Sequence, residues 1–80
     1  MLNKIAAIQH QIWSHWMKYL FEVSIQNEDG TVTIPASKVN RWKRQMNTNY
    51  DDLLDSEKLS DIEQAMKVIA EIDSAIKKVE

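Results

Sequence analysis

Two histidines, three tryptophans and a short run of cations are the side chains of this 80-residue chain with most chemistry to offer. His10 and His15 stand five residues apart, about 140° round a helix, so they cannot grip one metal ion from a single helix. No cysteine and no His-Glu-x-x-His pattern is present to complete a metal site. His10 therefore reads either as a hydrogen-bond donor to a ligand or as a histidine satisfied at an interface. Trp13, Trp16 and Trp42 bring flat faces that can stack on bases and N–H groups that give a polar handle. Aromatics at helical spacing also build cores, and Trp16 is assigned there. Trp13 and Trp42 stay open, because one lies off the main apolar stripe and the other lies among cations. Arg41, Lys43 and Arg44 surround Trp42 and could hold phosphate, with arginine suited to bidentate contacts. The same cations could equally be a solvated face balanced by the acids that follow.

Those acids, Asp51, Asp52, Asp55 and Glu57, lack the spacing and the glycine of a calcium-binding loop. The chain also has no nucleophile elbow, no P-loop and no dinucleotide fingerprint. The sequence thus points to a binder without catalysis, cofactor or metal.

Such residues need elements to position them. Residues 3 to about 23 read as a helix opened by Asn3. Ile5, Ile8, Ile12, Trp16, Tyr19 and Val23 form one apolar stripe, and His10, Trp13, Met17 and Phe21 form a second about a third of a turn away. A helix apolar over so much of its circumference is usually buried on two sides. In a chain this small, Trp13, Met17 and Phe21 are expected to face a ligand, a second copy or another protein. Residues 24 to 34 break the pattern. Asn27 to Gly30 is a turn, and Ile25, Val32 and Ile34 alternate with polar residues, which fits a minimal β-hairpin or an irregular loop. Pro35 falls in the first turn of a second helix running to Met46, with Val39, Trp42 and Met46 as its stripe. Asn47, Thr48 and Asn49 end it. Tyr50 opens a linker whose Leu53 and Leu54 are expected in the core. The third helix starts at Asp55 or Ser56. Leu59, Ile62, Met66, Ile69, Ile72, Ile76 and Val79 recur along it at steps of three and four, and Leu59 and Ile62 too are expected in the core.

Composition frames these elements. Eighty residues make at most one small domain, whose thin core gains from a second subunit's surface. The net charge of −2 gives little global pull on nucleic acid or anionic lipid. DNA binding through the basic helix is accordingly the weakest of the readings. No apolar run approaches the ~20 residues of a membrane span. Gln9, His10 and Gln11 interrupt what would be the core of a signal peptide. A cytoplasmic protein is expected, in the host cytoplasm if the gene is carried by a phage.

Two segments resemble a known family. Ile8-Gln9-His10-Gln11-Ile12-Trp13 is similar to the I-x-H-x-x-W helix of the ryanodine-receptor repeat domain. Tyr50-Asp51-Asp52-Leu53, then Glu57-Lys58 and Asp61, then the helix through Ala65 and Ile69, is similar to its aromatic-x-x-L…E-K/R…D segment. The block IPASKVNRWKRQM looks like one shared by compact phage and prophage members. The Trp-x-Tyr-Gly motif of the long repeats is absent. Asn49 stands where the family often has proline, and Leu54 where it has a polar cap. The resemblance implies a mostly helical module that recognises nucleotide-like ligands. For a phage-borne member it implies a sponge for a host nucleotide signal.

The expected architecture is mainly α, a single three-helix domain over residues 1–80 with a short β-hairpin or loop between helices one and two. The expected ligand is a nucleotide-derived small molecule. Trp13 and Tyr50 would stack on it, His10 and Asp61 would hydrogen-bond to it, and Arg41, Arg44 and Lys58 would meet its phosphate. A homo-oligomer is expected through Trp13, Met17 and Phe21. The alternative is a module that binds or inhibits a host protein through the same apolar face.

Overall fold

Three helices and one two-stranded hairpin make up the chain, in the order α1 (Leu2–Val23), β1 (Ile25–Gln26), β2 (Val32–Thr33), α2 (Ala36–Met46), a 3₁₀ turn (Tyr50–Asp52) and α3 (Asp55–Val79). The computed structural model describes residues 1–79, with side chains to Lys77. The hairpin expected as one of two possibilities is formed. β1 and β2 are antiparallel, Ile25 opposite Thr33 and Gln26 opposite Val32. The chain clusters into two compact units: residues 1–14 with the segment from Leu54 onward, and residues 15–53.

In the first unit, α1 begins earlier than its expected cap. The Ile5 N–H donates to the Met1 carbonyl at 3.0 Å, so Asn3 already lies inside the helix. Ile8 of this half is buried, and Ile5 and Ile12, on the same stripe, are half-buried. Lys4 reaches Glu71 of α3 at 3.9 Å. The first turn of α3 carries half of a capping box. The Leu54 carbonyl accepts from the N–H groups of Glu57 and Lys58. The Glu57 carboxylate reaches back to the Leu54 N–H at 3.3 Å. Leucine has no side-chain acceptor, so the reciprocal bond of the motif is missing.

Exposure along α3 departs from the sequence reading. Among its described residues Glu57 and Gln64 are buried, and Lys58, Ser60, Lys67, Val68, Glu71 and Ala75 are half-buried. Leu59, Ile62, Met66, Ile69, Ile72 and Ile76 are exposed. The core placement expected for Leu54, Leu59 and Ile62 is therefore incorrect, and only Leu53 of that group is half-buried. The periodicity identifies the apolar face of a helix without saying what lies against it.

In the second unit, side chains close the ends of both helices. The C-terminal carbonyls of a helix lack partners within it. Here the Ser24 hydroxyl donates to the Leu20 carbonyl at 2.6 Å, and the Gln26 amide donates to that of Phe21 at 2.9 Å. The end of α1 is thereby tied to β1. Asn27 N–H bonds to the Thr31 carbonyl at 2.9 Å, closing a three-residue loop in which Gly30 has φ 88°. Positive φ is the conformation glycine adopts without steric cost. Pro35 precedes α2 at its N-cap rather than within its first turn, and its carbonyl accepts from Lys38 and Val39. Asn47 and Thr48 end α2 as expected, through side-chain bonds to the carbonyls of Lys43 and Arg44 at 2.7 and 2.6 Å.

Candidate functional site

One turn of α1 carries His10 and Trp13, three residues apart, and this spacing brings the two rings together. Their centroids are 5.8 Å apart and their planes 19° from parallel. Both side chains are exposed, Trp13 at 56%. An indole left this open, beside a nearly parallel imidazole, keeps aromatic surface facing water. Lys58 and Asp61, in the same unit, sit in the first two turns of α3, where Lys58 is half-buried and Asp61 exposed.

The remaining expected residues belong to the second unit. Arg41 and Arg44 are exposed on α2, and Tyr50 is exposed at the start of the 3₁₀ turn. Arg41, Trp42 and Lys43 are consecutive, so about 100° of helix separates each from the next. Trp42 is half-buried, and its ring meets Tyr19 edge-on at 6.4 Å and 63°. The indole flanked by cations is thus engaged within its own unit.

Trp42 is one member of an aromatic chain in that unit. His15 meets Trp16 at 4.9 Å and 78°, Trp16 meets Tyr19 at 6.4 Å and 81°, and Tyr19 meets Trp42. These edge-to-face geometries suit the ring quadrupoles. Lys38 completes the cluster. Its ammonium donates to the Tyr19 hydroxyl at 3.3 Å and lies 5.7 Å from the centre of the ring. The hydrogen bond is a long one, and the ammonium is within the ~6 Å reach of a cation–aromatic contact. The sequence assigns Tyr19 to the apolar stripe of the first helix and places Lys38 in the second. It carries no signal that pairs them across 19 residues, other than that an aromatic hydroxyl on an apolar face needs a polar partner.

A second polar cluster stabilises the hairpin. The Asp29 carboxylate accepts from the Thr31 N–H at 3.0 Å and from the Thr31 hydroxyl at 2.6 Å. The bond from the Thr31 hydroxyl, followed by that from its N–H, holds the Asp29 carboxyl below its usual pKa of 3.8. The Asn27 amide donates to the hydroxyls of Thr31 and Thr33, each at 3.0 Å. The cluster is exposed and is built as a turn is built.

Among the described residues, no group of three or more His, Cys, Asp or Glu side chains is placed to hold a metal ion. No helix among them is long and apolar enough to cross a membrane. No family model, curated protein or solved structure matches the chain.

Proposed function

We propose that this protein binds a nucleotide-derived small molecule without transforming it, and that in a phage it acts as a sponge for a host nucleotide signal. The exposed, nearly parallel His10–Trp13 pair carries this reading, because an open indole can stack on a base irrespective of its identity. The resemblance of residues 8–13 and 50–69 to a family that recognises nucleotide-like ligands supports it. Within the first unit, His10 and Asp61 supply hydrogen bonds and Lys58 positive charge for phosphate, while Arg41, Arg44 and Tyr50 are the candidate ligand residues of the second unit. The test is a melting experiment with cyclic dinucleotides, ADP-ribose derivatives and ATP. A ligand that binds the folded state raises the melting temperature by mass action. The expected outcome is an upward shift with at least one of them, accompanied by quenching of tryptophan fluorescence. An unchanged melting temperature with every compound refutes the reading.

A second reading rests on Trp13, Met17 and Phe21, which recur every four residues along α1. Trp13 and Phe21 are more than half exposed, and Met17 is half-buried. In this reading the row docks on a host protein or on a second copy of the chain. Recovery of a stoichiometric host protein with the purified chain, free of bound nucleotide, favours the host partner over the sponge.

A further inference from the structure

The largest unpartnered feature of the molecule is the apolar row of α3. Leu59, Ile62, Met66, Ile69, Ile72 and Ile76 are between 40% and 63% exposed. They run over about 26 Å of one helix, at 1.5 Å per residue. Branched and unbranched aliphatics at steps of three and four, left open over residues 59–76, are the pattern of a helix–helix seam.

The spacing of the row specifies its occupant. Counted from Ile69, the neighbours fall at three residues (Met66 and Ile72) and at seven (Ile62 and Ile76) in both directions. The five residues from Ile62 to Ile76 therefore read the same forwards and backwards, and Leu59 extends the row at one end. When a second copy is laid antiparallel with its two-fold axis at Ile69, Ile62 comes level with Ile76 of that copy, Met66 with Ile72, and Ile69 with itself. The charges agree with this direction. At 100° per residue, Glu63 and Lys77 lie about 120° and 80° round the helix from Ile69, on the same side of the row. Antiparallel pairing brings like sides together. Glu63 then stands within about two residues' rise, ~3 Å, of Lys77 of the second copy, and the pair occurs twice. Asp73, which interrupts the row, comes level with the small Ala65 of the copy. In a parallel, in-register pairing Asp73 would instead meet Asp73, which like-charge repulsion opposes.

We propose that α3 is a homodimer interface, an antiparallel pairing of two copies about a two-fold axis at Ile69. It stands apart from the ligand reading, since none of the proposed ligand residues belongs to the row. The six side chains of each copy, twelve in the pair, remove on the order of 700–1,400 Å² from water, at ~60–120 Å² for each fully covered aliphatic side chain. A standard interface buries about 1,600 Å². The pair is therefore expected to exchange with monomer at micromolar concentrations.

Sedimentation equilibrium from about 1 to 300 μM tests this. The expected result is a molar mass that rises from monomer to dimer across the series. Ile69→Glu sets two carboxylates against each other on the axis and should hold the chain at monomer mass with an unchanged far-ultraviolet dichroism spectrum. Single-cysteine variants fix the direction, since the native chain has no cysteine. Ile69→Cys should cross-link to itself on mild oxidation. Ile62→Cys should cross-link poorly to itself and readily to Ile76→Cys when the two are mixed. A monomer mass at every concentration, a dimer unaffected by Ile69→Glu, or self-linking of Ile62→Cys as fast as that of Ile69→Cys each overturns the proposal.

Discussion

Trp13 and Trp42 are the same side chain put to different uses. Trp13 stands open beside His10, whereas Trp42 is half-buried against Tyr19. Trp13→Ala should therefore leave the melting temperature nearly unchanged and abolish any ligand-induced shift. Trp42→Ala removes a large side chain and an aromatic pairing, so about 2 kcal/mol of stability should be lost in urea titration. Asp29 gives a pH prediction with a definite sign. A carboxyl held below 3.8 in the folded chain stabilises the hairpin above that pH and loses this contribution as pH falls through its lower folded value. The Thr31 amide resonance should follow Asp29 with a midpoint below 3.8, and in Asp29→Asn that titration should vanish. Of these features, the sequence made the His10–Trp13 face legible, because both residues lie on one turn of one helix. The Tyr19–Lys38 contact was not legible, because it joins residues whose proximity depends on how the hairpin turns the chain.

Elements were easier to read than their surroundings. Three helices follow from periodicity and one proline, the hairpin is one of two readings of the segment around Gly30, and the ends of α1 and α2 follow from polar side chains that bond to free carbonyls. Burial was harder. The apolar stripe of α3 was plain in the sequence and was expected in a core, yet its residues are exposed, because periodicity marks a face and not its covering. Two substitutions test the local physics. Leu54→Ser supplies the missing half of the capping box at a residue already 58% exposed. It should raise stability by about 1 kcal/mol, read as a higher urea midpoint. Gly30→Ala meets no neighbour within 4 Å of the added methyl, so its effect comes from the positive φ alone. That should cost about 1–2 kcal/mol and weaken amide protection at Asn27 and Thr31.

At the scale of the whole molecule, a thin interior decides the behaviour. Among the described residues Ile8 is the sole buried hydrophobic side chain, while six large aliphatics of one helix face water. A chain so arranged should be stabilised by its own concentration. Its melting temperature is expected to rise as protein is raised from 5 to 500 μM and to stay flat in Ile69→Glu. The small net charge of −2 leaves little long-range repulsion to oppose pairing.

The row on α3 has one further consequence. A pattern that is its own mirror has a single position at which a residue meets its twin, and every other substitution enters the pair twice, against a different neighbour. Glutamate at position 69 of one chain and lysine at position 69 of another would each disfavour their own kind and favour the other. A protein that recognises itself would thereby become a two-part assembly through one codon in each gene.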